Sequence, residues 1–171
     1  MKILTIFDSK NYDNTTSVFE KYNPRAIIMR DGKLAMQRSR NGIYKIPGGG
    51  REGDESFLDT LVREVSEETG LIVRASSVYE LGEITEIRRD IFDETVKYIC
   101  HSLFYFCEIE DEQRELNLTA SEKEKGFYVE WATPQEIYDN NVVLSNEPWI
   151  MRDTAFIKML IDGDVVLPIN R

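Results

Sequence analysis

The chain has 171 residues, 42% of them hydrophobic and 30% charged, and a net charge of −10. This is the size and composition of a single globular domain, 1–171, with a core of its own, and excludes a disordered or fibrous protein. The acidic surplus argues against nucleic-acid polymers and anionic membranes as partners; a small anionic substrate fits only where cations neutralise it locally.

Residues 1–23 read as an N-terminal extension to a core of about 24–165: a short strand at 3–7, then a polar loop with at most one helical turn over 8–23. The apolar run at 3–7 is too short for a signal peptide and no run reaches membrane-spanning length, so a cytoplasmic protein is expected. A homodimer through this segment is compatible with the sequence, which does not decide it. Next, "PRAIIMRDGKLAMQRS" sets two apolar runs on either side of Asp31-Gly32, a hairpin signal. "IYKIPGGGREGDE" is a short strand running into a glycine-rich loop. From Ser56 the apolar residues Phe57, Leu58, Leu61, Val62 and Val65 recur at helical spacing, with Ser56 and Asp59 as a capping box and Gly70 as the stop.

Further strands are predicted over 78–87 and 96–109, joined by the charged "RRDIFDE". A solvated turn is expected at "EDEQRE", a mobile loop at "SEKEKG" and a strand at "GFYVEW". Helices open at Thr133-Pro134 and over 149–161, three helices in all, which gives an α+β layered domain. Cys100 and Cys107 lie an odd number of residues apart in a strand-like run, so they face opposite sides and read as buried free thiols. One histidine, His101, leaves no zinc set of Cys and His.

The helix poses a chemical question. Glu64, Glu67 and Glu68 fall at i, i+3 and i+4 on one face, at the border of core and surface. Two carboxylates about 6 Å apart repel by about 3 kcal/mol at an effective dielectric near 20, and the negative end of the helix dipole adds to the cost. Such a face is either simply solvated or a site for hard divalent cations, which take oxygen ligands. The preceding "PGGG" favours the second reading, because glycines allow close backbone approach to a ligand.

Gly49, Glu55 and "REVSEETGL" together resemble the Nudix box, G-x5-E-x7-R-E-U-x-E-E-x-G-U with U aliphatic. Gly49, Glu55, Arg63, Glu64, Val65, Glu67, Glu68, Gly70 and Leu71 fill every specified position. The resemblance implies an α/β/α sandwich around a mixed sheet. It also implies a pyrophosphohydrolase that uses Mg²⁺ or Mn²⁺ to direct water onto a nucleoside diphosphate linked to another group. On this basis Glu64, Glu67 and Glu68, with the carbonyl of Gly48, are the expected metal ligands, the acids converging on shared cations. Glu64 is also the candidate general base, with Glu55 assisting. Arg63 is expected to orient acidic neighbours or touch substrate.

The family's further acid comes from a loop before the tryptophan strand. Glu122 and Glu124 are both candidates, and Glu124, nearer Trp131, is favoured. Arg38 reads either as a phosphate contact or as a surface arginine, and Arg88 and Arg89 as weaker phosphate contacts. Tyr44, Phe92, Tyr128 and Trp131 are candidates for base stacking, Tyr44 and Trp131 more readily as core. No proline occurs between Pro47 and Pro134, where ADP-ribose- and NADH-type members carry characteristic prolines, so the lean is to a nucleoside triphosphate or a less common nucleotide. A catalytically silent binding or sensor module of the same fold is the alternative, and the complete set of acids weighs against it.

Overall fold

The computed structural model describes residues 1–144 and 147–169. A four-stranded mixed sheet has the order β1-β7-β8-β2, where β1 is Ile3–Asp8, β2 Ser17–Ile27, β7 Tyr79–Arg89 and β8 Val96–Phe106. β2 runs parallel to β8, β7 antiparallel to β8, and β1 parallel to β7. A second sheet contains β3 (Met29–Arg30), β4 (Lys33–Arg38), β5 (Tyr44–Lys45) and β10 (Tyr128–Ala132). The small ladder of β6 (Leu71–Val73) and β9 (Ile109–Gln113) completes the strands.

Four helices lie around these sheets: α1 Phe57–Thr69, α2 Ala120–Lys125, α3 Pro134–Leu144 and α4 Pro148–Asp162. Alternation along the strands divides the core in two. Ile27, Leu34, Met36 and Phe104 pack with Ile137 of α3 and with Phe156 and Ile157 of α4. Their sequence neighbours Ala26, Ile28, Ala35, Leu103 and Tyr105 pack with Leu61 and Val65 of α1. Helices therefore cover both faces of the strand layer, as an α/β/α sandwich requires.

The Asp31-Gly32 turn has positive φ at both residues, 51° and 73°, as a two-residue hairpin needs. α1 starts at a full capping box between Ser56 and Asp59 and stops at left-handed Gly70. Three segments differ from expectation. Residues 17–23 are strand rather than loop, because they pair along the free edge of β8. "EDEQ" belongs to β9, paired with β6, rather than to a solvated turn. "SEKEK" lies within α2, capped by Thr119 and Glu122, rather than in an irregular loop. No helix of the described residues is long and apolar enough to cross a membrane. Cys100 and Cys107 are both buried and free.

Candidate active site

Arg63 organises the outer half of the acidic cluster. Its Nε donates to Glu55 Oε1 at 2.7 Å, and Nη1 donates to Glu64 Oε1 at 2.8 Å and Glu67 Oε2 at 3.2 Å. Its Nη2 donates to the Gly50 carbonyl at 3.1 Å, tying helix to loop. One guanidinium thus pairs with three carboxylates and offsets only part of their charge. Hydrogen bonding from Arg63 holds the Glu55 carboxyl down at about 2. Glu64 moves the other way, raised chiefly by burial against the partial opposition of Arg63.

Glu68 belongs to a deeper, separate group. It is 3% exposed, accepts the backbone N–H of Gly48 at 2.7 Å, and pairs with Lys45 Nζ at 2.5 Å. Burial pushes its carboxyl up to about 7, against the opposing charge of Lys45. Lys45 also reaches Glu122 at 3.3 Å. Burial raises Glu122, but hydrogen bonds from Glu68 and from Thr119 outweigh it and hold that carboxyl at about 2. Glu122 is therefore the α2 acid that stands beside the box. Glu124, favoured from sequence, is exposed and lines a different cavity with Ser39 and Arg40. The placement follows from α2 itself: Glu122 is the N3 residue of its capping box, which fixes the side chain toward Lys45.

The glycines before the helix are required by contact. A Cβ on Gly49 would lie 2.4 Å from Glu64 Oε2, so the carboxylate occupies space that only glycine leaves open. Gly48, at φ 134°, would press a Cβ to 2.1 Å from the Pro24 carbonyl. The Gly48 carbonyl, an expected metal ligand, accepts a hydrogen bond from Arg25 Nη1.

The donor set fits a hard cation in chemistry, being all oxygen, with Glu64 seated in the cradle that Gly49 leaves. Among the described residues, however, no three acids close on a common point as a ready ligand shell. Glu64 and Glu67 turn to Arg63 and Glu68 turns to Lys45, so the expected convergence of the three is replaced by two salt-bridged groups.

The remaining candidates scatter. Arg38 pairs with Glu130 at 2.8 Å and stacks its guanidinium over the buried Tyr44 ring, away from the acids. Arg88 pairs with Glu86. Phe92 is 91% exposed, the Tyr128 hydroxyl donates to Glu130, and Trp131 packs on the α1-side core. Lys45 is the residue that sequence reading missed, and its place directly before "IPGGG" was the available signal.

The NUDIX domain family model matches residues 21–152. A MutT-like protein of Streptomyces ambofaciens is 29% identical over 136 residues, covering 78% of this chain and 77% of that protein. An ADP-ribose pyrophosphatase of Methanocaldococcus jannaschii is 37% identical over 68 residues, 37% of this chain and 39% of that one. The fold is shared with solved structures, of which two cover most of the chain. The E. coli ORF135 protein has TM-score 0.59 at 21% identity, covering 90% of this chain and 96% of its own. A NUDIX hydrolase from Nitrosomonas europaea has TM-score 0.60 at 19% identity, with 88% and 94% covered. With the box complete in sequence, its helix capped as required and the family model spanning most of the chain, this protein belongs to the NUDIX domain family.

Proposed function

We propose that this Nudix pyrophosphohydrolase cleaves a nucleoside diphosphate linked to a further group, that it depends on Mg²⁺ or Mn²⁺, and that its substrate is a nucleoside triphosphate. The observation that carries the reading is the seat of Glu64: half-buried, raised in pKa, and lodged against Gly49 where no side chain can intrude. Glu64, Glu67 and Glu68 would hold the cation, with the second lone pair of the Gly48 carbonyl as a further oxygen. A divalent cation bound there supplies neutralisation of the diphosphate charge and polarisation of the phosphorus. Glu64 takes a proton from water as the water oxygen bonds to phosphorus; the bridging P–O bond breaks, and the bridge oxygen leaves with the other phosphate. Arg63 keeps Glu55, Glu64 and Glu67 in register, and Lys45 bridges Glu68 and Glu122.

The choice of a triphosphate rests on the absence of proline between Pro47 and Pro134. Similarity to an ADP-ribose pyrophosphatase over 68 residues favours ADP-ribose as the second reading. A hydrolysis screen with Mg²⁺ or Mn²⁺ over nucleoside triphosphates, nucleotide sugars, ADP-ribose and dinucleoside polyphosphates tests both. Glu64→Gln should lower turnover on the best substrate by about 100-fold or more, and millimolar cation should raise the wild-type melting temperature. Near-wild-type turnover in Glu64→Gln would overturn the mechanism, and no turnover on any substrate would favour a silent binding module.

A further inference from the structure

Beside the box lies a cavity of about 300 Å³ whose charge opposes that of the whole chain. Arg25, Lys45, Lys125 and Arg152 line it against a single acid, Glu122, whereas the chain carries 21 basic and 31 acidic residues. Arg25 and Arg152 are 6% and 4% exposed, one on β2 and the other on α4, and the mechanism uses neither. Arg25 Nη1 donates to the carbonyls of Ile46 and Gly48, but among the described residues its Nε has no hydrogen-bond partner. Arg152 Nε donates to Asp153 Oδ1 at 2.8 Å; its Nη2 lies 2.7 Å from the same oxygen without hydrogen-bond alignment and has no other partner among those residues.

Among the described residues only Arg152 of the two is ion-paired, to the fully buried Asp153; Arg25 is held by backbone carbonyls. Burial and the nearby Arg152 hold Arg25 below the ordinary arginine range. A purely structural arginine fork would spend its N–H groups on carbonyls and carboxylates, because a buried charged donor left unpaired is costly. Here Arg25 Nε, without a hydrogen-bond partner among the described residues, and Arg152 Nη2, ion-paired to Asp153 but not aligned for a hydrogen bond, are buried atoms of residues that line a cavity beside the box acids. Tetrahedral oxyanions suit such a fork, which offers several N–H groups at fixed angles.

Resting on the hydrolytic reading above, we propose that Arg25 and Arg152 form an anion subsite. It takes a phosphoryl group of the substrate other than those the box acids serve. Lys45 joins the two sites, since it pairs with Glu68 of the box and faces the same cavity. The subsite favours substrates that carry phosphate beyond the scissile diphosphate over those that end in an uncharged sugar.

The test is calorimetric titration of the full chain with inorganic pyrophosphate in EDTA at fixed ionic strength, where hydrolysis does not contribute. Wild type should bind. Arg152→Gln should weaken binding at least tenfold, and Arg152→Lys should restore part of it. Because Arg152→Gln leaves Asp153 without its partner, a melt must show that it folds. Ser121→Glu, at an exposed position on the cavity wall, adds a negative charge without touching the buried pair and should also weaken binding, with an unchanged melting temperature. Glu64→Gln should bind pyrophosphate no more weakly than wild type although it has lost turnover, which separates this proposal from the hydrolytic one. Absence of binding by wild type, or equal binding by wild type, Ser121→Glu and folded Arg152→Gln, would overturn the subsite.

Discussion

At the scale of single residues, identical side chains acquire different chemistry from their surroundings. Glu55, Glu64 and Glu68 are all box glutamates, yet Glu55 is held at about 2 by Arg63 whereas burial raises Glu64 and carries Glu68 to about 7. The same reasoning separates the two acids of α2. Glu122 sits 3.3 Å from Lys45 within the buried group, while Glu124 faces solvent. Glu122→Gln removes the charge that pairs with Lys45 and accepts a hydrogen bond from Glu68, and turnover should fall about 10- to 100-fold, in the range of residues that position catalytic groups. Glu124→Gln should stay near wild type. Steady-state kinetics on the best screened substrate decides it, and loss of activity in Glu124→Gln alone would restore the choice made from sequence.

At the scale of elements, legibility in the sequence tracks how local the determinants are. α1 could be bounded because apolar spacing, Ser56, Asp59 and Gly70 all lie within it or at its ends. The strand nature of residues 17–23 and of "EDEQ" depends on distant partners, β8 and β6, and leaves little trace in local composition. The candidate site follows the same division: Glu64, Glu67, Glu68 and Gly49 were legible as a motif and Lys45 only through its place before "IPGGG", whereas Arg25 and Arg152, proposed above as an anion subsite, come together only when β2 and α4 meet. The β4–β10 pair offers a pH test. Glu130 of β10 is held below the usual carboxylate range by the Tyr44 hydroxyl and then by Arg38 of β4. A depressed folded pKa contributes stability above the unfolded value, about 4.3, and loses it as pH falls through the folded one. Glu130→Gln should therefore be less stable than wild type at neutral pH, with the gap closing below pH 4 in urea melts. A gap independent of pH would show that Glu130 acts only through packing.

At the scale of the whole molecule, the last two helices hold the strand that leads into the glycine-rich loop beside the box acids. β5 is only two residues long and leads directly into "IPGGG". Asn141 of α3, fully buried, accepts the Tyr44 N–H at 3.0 Å and donates to the Tyr44 carbonyl at 2.8 Å, acting as a substitute strand neighbour. Asp153 of α4, also fully buried, accepts the Ile46 N–H at 2.9 Å. Side chains about 100 residues downstream thus set the backbone that meets Glu64 and Glu68. Asn141→Ala would leave both Tyr44 backbone groups unpaired in the interior, at a cost of about 2–5 kcal/mol. Ile84→Ala, in β7, which pairs with β1 and β8 and not with β5, should cost a similar 2–5 kcal/mol through its cavity. If the helices serve only stability, the two variants should keep equal turnover per folded molecule. If they position the loop, Asn141→Ala should lose turnover that Ile84→Ala keeps, measured well below both melting temperatures. Equal turnover in the two would reduce Asn141 to a structural hydrogen bond.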